Sequence, residues 1–316
     1  MRHGTVLPLP CTTGNVGWSM KLIIGAGFLG SSLAAGLAGK EKVRLVYRSA
    51  PPLRGLQNIE YMEGDLRELD WDAALKDIDT VYAMYGTIIS YDGTDGIIRD
   101  LREGVMPMLT LITECKKRGI RRIIYPSSGG TVYGKTSVQS RESDPTLPAS
   151  VYAAHKITLE NYFQLFNMYD GMEIISLRIT NPYGYLDTTN RKQGIIPIFI
   201  ERIMKHEPIE VWGNGYNTRD YIYIDDVTRA MEAAAAYEGD ERCFNIGTSS
   251  ATSINAIIHL IEHYTGEKAR VSYRPGRICD AVSSSVNIDL ALRELEWKPA
   301  VTLSEGIEML IARYRG

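Results

Sequence analysis

The chain has 316 residues, 44% of them hydrophobic, and a formal charge of -3, which fits one large or two modest globular domains. That charge excludes a global attraction to nucleic acid or to an anionic membrane, and no apolar run approaches the ~18–20 residues of a membrane span. Cys11, Cys115, Cys243 and Cys279 lie far apart without paired spacing. They read as free thiols of a reducing compartment, hence a cytoplasmic protein, and not as a disulfide framework or a zinc site; no metal is expected.

Residues 1–19 lack a continuous apolar stretch and make a poor signal peptide. They read as a disordered extension, or as an early start with Met20 as the true one. Leu22-Ile23-Ile24 is a short buried-strand pattern, followed by Gly25-Ala26-Gly27-Phe28-Leu29-Gly30 and a helix-prone run. Strand, glycine turn, helix is the context in which this spacing points to a dinucleotide. Gly25 permits the tight turn, Gly27 admits a pyrophosphate, and Gly30 lets the helix pack on the strand. Phe28 and Leu29, inside the turn, are counted with the glycines as cofactor contacts. Residues 43–47 form a second strand that ends in Tyr47-Arg48-Ser49, without the acid that a NAD site uses for the ribose 2′-hydroxyl. Arg48 suits a 2′-phosphate, so the cofactor is NAD or NADP, with the balance toward NADP.

Residues 58–62 form a third strand running into Gly64-Asp65-Leu66, and residues 79–84 a fourth running into Tyr85-Gly86-Thr87. Residues 97–118 alternate at helical spacing, with Pro107 kinking the helix or marking its effective start. A fifth strand (122–125) leads into Ser127-Ser128-Gly129-Gly130-Thr131-Val132-Tyr133-Gly134, and a sixth covers 173–177. Strands alternating with helices at this spacing imply an α/β fold with a doubly wound parallel sheet of the Rossmann kind. Beyond Asn181-Pro182-Tyr183-Gly184 the alternation breaks down into a helix at 195–205, short strands near Glu210 and Tyr221, and helices near Val227, Ser253, Leu290 and Ser304. The expected division is a cofactor-binding domain over 20–180 and a smaller substrate lobe over 181–316, interleaved with it.

Between the fifth and sixth strands stands Tyr152-Ala153-Ala154-His155-Lys156. Residues four apart share a helix face, so the phenol and the ammonium can address one site. A free tyrosine titrates near ~10, and a nearby cation favours its ionised form. That would move Tyr152 toward neutral pH, where it can take a proton from a substrate hydroxyl, while Lys156 can also hold a ribose hydroxyl. His259 and His263 sit four apart on a helical pattern without a third ligand and read as a solvated face. His155 reads as a variable position facing away from the site.

With these motifs assembled, the chain resembles the extended short-chain dehydrogenase/reductases of the nucleotide-sugar epimerase/dehydratase group, with a pattern like that of UDP-glucose 4-epimerases. The likeness also rests on Arg178 to Gly184, on the run from Gly213-Asn214-Gly215 through Arg219-Asp220-Tyr221 to Asp225-Asp226-Val227, and on Asn245-Ile246-Gly247, Arg277 to Asp280 and Trp297-Lys298-Pro299. The resemblance implies a Rossmann domain and a lobe that closes over a nucleoside-diphosphate sugar. By position, Asp65 with Leu66 addresses the adenine, Tyr152 is the base, Lys156 holds the nicotinamide ribose, and Asn181, Arg219 and Arg277 clamp the substrate diphosphate. It also implies a homodimer through the helices after the fourth and fifth strands, with Met106, Met108, Leu109 and Ile112 on one and Leu159, Tyr162 and Phe163 on the other.

The chain departs from that pattern at Ile24, Ala83, Gly194 and above all Gly129. Many relatives carry at the last position the hydroxyl that meets the sugar's 4-oxygen, so Ser128, Thr131 or a water must replace it. Gly129→Ser is expected to raise the rate if the substitute serves poorly. Gly130-Thr131 stands where dehydratases carry Asp-Glu, which argues against dehydration. The leading expectation is a UDP-hexose 4-epimerase. The alternatives are an NADPH-dependent 4-ketosugar-nucleotide reductase, favoured by Arg48, and a non-catalytic dinucleotide sensor.

Overall fold

The computed structural model describes residues 20–48, 55–86, 93–134, 139–184, 194–276 and 283–315. The expectations for residues 1–19 and for Arg277 lie outside that set. Six parallel strands follow the sequence pattern, with bounds that differ by at most three residues: β1 (Met20–Ile24), β2 (Lys42–Tyr47), β3 (Ile59–Glu63), β4 (Ile78–Ala83), β5 (Arg122–Ser128) and β6 (Glu173–Ile179). Short β7 (Asn181–Tyr183), β8 (Pro208–Trp212) and β9 (Thr218–Tyr223) follow, then β10 (Cys243–Ile246), β11 (Ala251–Ser253) and β12 (Arg270–Arg274). The main sheet has seven strands in the order β10-β6-β5-β4-β1-β2-β3. The order reverses beside β1, and ligands on such sheets sit in the crevice opened there at the carboxyl ends of the strands.

The strands are apolar on both faces because helices cover both. Along β1, Leu22 and Ile24 join one core and Ile23 the other; along β5, Ile123 and Tyr125 oppose Ile124. One face carries α1 (Phe28–Leu37), α7 (Ile224–Ala236) and α9 (Asp289–Glu294), and the core there continues into α6 (Ile195–Met204), α8 (Ile254–Thr265) and α10 (Leu303–Arg315), which pack on one another and on β8, β9 and β11. The other face carries α2 (Trp71–Ala74), α4 (Met106–Lys117) and α5 (Val151–Asp170), while α3 (Gly93–Asp100) runs into α4. Buried Arg44 ties the edge together, gripping Glu60 with two nitrogens and donating to the carbonyls of Ala73, Ala74 and Lys76 around the end of α2.

The expected helix over 97–118 is interrupted. Leu101–Val105 forms a π-turn, in which the Met106 N–H reaches the Leu101 carbonyl. Pro107 has no N–H for the Glu103 carbonyl and its ring crowds that group, so the backbone widens one turn earlier. The Tyr85 hydroxyl donates to the carbonyl left over. The apolar seam expected on α4 and α5 is also only partly available. Met108, Ile112, Leu159 and Phe163 are buried within the chain itself, whereas Met106 and Tyr162 are exposed, joined by Leu165, Met168 and Tyr169.

Candidate functional site

At the cofactor turn, Gly25 adopts φ +104, and a side chain there would meet the Met84 carbonyl oxygen at 2.7 Å. A Cβ on Gly30 would stand 1.9 Å from the Gly25 carbonyl oxygen, so helix and turn touch through bare backbone. Gly27 faces open space and caps α1 without any side-chain hydrogen bond or acid in the first turn. An open glycine at an unscreened helix start is what a pyrophosphate needs, and the turn fits a dinucleotide. Phe28 and Leu29 are half-buried and pack against the core on the α1 face.

Along the same sheet edge, Arg48 is exposed at the end of β2. Asp65, after β3, takes two hydrogen bonds from the Arg67 guanidinium, at 2.8 and 2.7 Å, and a third from its backbone N–H. That grip, with a smaller contribution from Arg48, holds the Asp65 carboxyl down at about 2. Arg67 was not singled out from the sequence, where an arginine two residues past an aspartate reads as surface charge. Leu66, expected beside the cofactor, is buried in the same core cluster as Leu22 and Ile24.

The reaction centre is set by α5. Ser150 caps its start by accepting from the Ala153 N–H, which puts Tyr152 in the first turn and Lys156 one turn deeper. Ser128, the last residue of β5, acts on the Tyr152 phenol and favours its ionised form. Lys156 is 3% exposed; its ammonium donates to the Pro126 carbonyl at 2.6 Å and lies 4.3 Å from the Tyr125 ring centroid and 5.5 Å from that of Tyr152. Burial pushes Lys156 down to about 7, against the pull of Glu160 and Asp100, which favour its charge. Burial likewise pushes the Tyr152 phenol above its ordinary value, opposed by Ser128. Burial thus acts on Tyr152 in the direction opposite to the one expected from a neighbouring cation. A charged network missed from the sequence backs the helix. Glu160 accepts from Ser127 and is gripped by Arg178, which also donates to the Tyr133 hydroxyl at 2.9 Å. His155 is buried too, with its Nδ1 bonded to the Asp100 carboxylate.

The turn after β5 links this centre to a cavity. The Thr131 hydroxyl is buried without a hydrogen-bond partner, and the Gly130 α-carbon faces the Asn181 side chain. Asn181, Arg219, Tyr221, Asn217, Trp212 and Gly194 line a cavity of about 310 Å³. The turn after β5 thus joins the strand end that carries Ser128 to the cavity lined by Asn181 and Arg219, while the glycine turn, Arg48 and Asp65 follow the ends of β1, β2 and β3.

Gly129 is not a vacant hydroxyl position. A Cβ there would lie 2.6 Å from the Arg178 carbonyl oxygen and 3.1 Å from Val286 Cγ1. The expected gain from Gly129→Ser is therefore reversed: the substitution should lower stability by about 1–3 kcal/mol, the cost of overpacking, without raising any rate. Chemical denaturation of the variant beside Ser128→Ala separates the two effects, since Ser128→Ala should fold normally.

Residues 22–247 match the model of the NAD dependent epimerase/dehydratase family. The dTDP-4-dehydro-6-deoxyglucose reductase of Escherichia coli is 32% identical over 92% of this chain and 96% of its own. The crystal structure of a Thermotoga maritima UDP-glucose 4-epimerase with UDP-glucose superposes with a TM-score of 0.85 at 28% identity, covering 94% of this chain and 99% of the other. MoeE5 in complex with UDP-glucose and NAD gives 0.85 at 27% identity, covering 93% and 98%. That match takes in the glycine turn and the Tyr152–Lys156 helix and covers well over half of the chain, and the chain belongs to the NAD dependent epimerase/dehydratase family.

Proposed function

We propose that the chain is a UDP-hexose 4-epimerase in which Tyr152 moves the C4 hydroxyl proton. The observation that carries this reading is the burial of Lys156, bonded to the Pro126 carbonyl at 2.6 Å with its ammonium 5.5 Å from the Tyr152 ring centroid, beside a turn that leads through Asn181 to the cavity of Arg219. A dinucleotide bound at the glycine turn supplies a hydride acceptor and, when oxidised, a positive charge that favours a phenolate nearby. Tyr152 would accept the proton of the sugar's C4 oxygen as the C4 hydride leaves for the bound dinucleotide, and would return it to that oxygen when the hydride goes back to the opposite face of the turned 4-keto sugar. Ser128 steadies the phenolate, and the unpaired Thr131 hydroxyl is a second donor for the 4-oxygen in place of the hydroxyl that Gly129 lacks. Asn181, Arg219 and, from outside the described residues, Arg277 hold the diphosphate, for which a guanidinium fork is well matched. Tyr152→Phe should keep cofactor binding and cut turnover about 100-fold or more. The assay is interconversion of UDP-glucose and UDP-galactose without external reductant.

The similarity to the E. coli reductase favours a second reading, an NADPH-dependent 4-ketosugar-nucleotide reductase. Conversion of no UDP-sugar, together with oxidation of NADPH by a 4-ketosugar nucleotide, would establish it instead.

Arg48 at the end of β2, with Arg67 beside Asp65, makes the adenosine edge cationic where a NAD site places an acid. NADP(H) should therefore bind at least as tightly as NAD(H), and Arg48→Ala should weaken NADP(H) selectively. Titration of both cofactors into the apoprotein decides this; a tenfold preference for NAD that survives the substitution rejects it.

The exposed apolar residues Met106, Tyr162, Leu165, Met168 and Tyr169 on α4 and α5 support a homodimer through these helices. Light scattering at micromolar concentration should give twice the chain mass, and Met168→Glu should shift it toward one.

A further inference from the structure

The buried Lys156 ammonium carries three donors. Among the described residues its hydrogen-bond acceptor is the Pro126 carbonyl at 2.6 Å. Burial pushes the group down to about 7, so any surface turned toward it bears on how far it stays charged. That surface is an aromatic face. The Lys156 Nζ lies over the Tyr125 ring, 4.3 Å from its centroid and inside the ~6 Å within which a ring quadrupole attracts a cation.

Strand and helix together hold the ring there. Tyr125 stands on β5 one residue before Pro126, so the strand that supplies the carbonyl also supplies the ring. Lys156 and Phe163, seven residues apart, fall on one buried face of α5. Phe163 meets the Tyr125 ring edge to face, with 4.9 Å between centroids. The phenol hydroxyl takes no part: Tyr125 is 1% exposed, and its hydroxyl is buried without a hydrogen-bond partner.

The other ionisable groups packed around this stretch are Tyr152 and Glu160 on α5 and Arg178 on β6, which is bonded to Glu160 at 2.7 Å. Asp100 at the end of α3 meets His155, and the π-turn adds Arg102 and Glu103. Exchanging Tyr125 for another uncharged residue alters none of them.

We propose that Tyr125 is a positioning residue of the reaction centre, whose ring face and not whose hydroxyl holds the Lys156 ammonium charged and in place. This rests on the reading of Tyr152 and Lys156 given above, and Tyr125 acts through Lys156.

The test follows Lys156 by NMR of lysine labelled at Cε, assigned with Lys156→Met, at saturating NAD and beside the pH dependence of turnover. Tyr125→Leu exchanges the ring for aliphatic bulk. It should lower the Lys156 titration midpoint by about one pH unit, the scale of a desolvated cation–ring contact, and carry the limb of turnover on which Lys156 loses its proton down with it. Tyr125→Phe keeps the face and sheds the bare hydroxyl, so it should keep the midpoint and the pH profile and melt no earlier than wild type. A trifluorinated phenylalanine at position 125 has nearly the same shape but a drained ring face, and should lower the midpoint where Tyr125→Phe does not. If the Tyr125→Leu and trifluorinated variants melt earlier yet keep the wild-type midpoint and profile, the contact is ordinary core packing and the proposal is overturned. A midpoint lowered in Tyr125→Phe would assign the effect to the hydroxyl and overturn it equally. If Tyr125→Leu fails to fold, the two phenylalanine variants decide alone, equal midpoints rejecting the ring. Wild-type NAD binding and turnover in Lys156→Met would instead sink the catalytic reading of Lys156, and the role of Tyr125 with it.

Discussion

Placing an ammonium in an apolar interior is among the more costly arrangements a fold can make, and the region around Lys156 is organised to offset it. A carbonyl, a ring face and two carboxylates surround the charge, and each comes from a different part of the chain: Pro126 and Tyr125 from β5, Glu160 from one turn along α5, Asp100 from the end of α3. Because β5 presents Ser127 and Ser128 beside Pro126, the strand that steadies the lysine also carries the hydroxyl that favours ionisation of Tyr152. Helix, strand and reaction centre are thereby positioned by the same burial.

A second constraint is crowding. The turns that shape the site pack backbone on backbone, leaving no room for a Cβ at Gly25, Gly30 or Gly129. At the first two this brings a helix start close to open space where an anion can approach. At Gly129 it locks the turn against the Arg178 carbonyl, which leaves Ser128 and Thr131 as the hydroxyls on either side. The Arg178 side chain in turn ties Glu160 to Tyr133, so the crowded turn and the charged network behind α5 are joined through one residue.

Much of this was legible in the chain. Alternating apolar runs and glycine turns marked the six parallel strands, because side chains that must be buried on both faces of a sheet leave a continuous signal. The spacing of Tyr152 and Lys156 depends only on helix geometry, and the arrangement of Gly25, Gly27 and Gly30 only on local backbone. Pro107 announced an irregular helix, since its missing N–H is a local fact, although the π-turn it produces depends on how the chain on either side packs. Less visible were the groups that act across sequence distance: Arg67 on Asp65, Asp100 on His155, and Arg178 on Glu160. Each reads as an ordinary surface charge until the fold supplies its partner, and around Glu160 and His155 it also removes the water.

The sequence by itself determined the element order, the dinucleotide turn and the pairing of a phenol with an ammonium, because these follow from dihedral preference, hydrophobic period and fixed helical spacing. Only the tertiary structure decided the protonation tendencies of Tyr152 and Lys156, the exclusion of a side chain at Gly129, the withdrawal of Leu66 into the core and the burial of His155. Those outcomes depend on desolvation and close packing, which arise when segments distant along the chain meet and have no counterpart in the local pattern of residues.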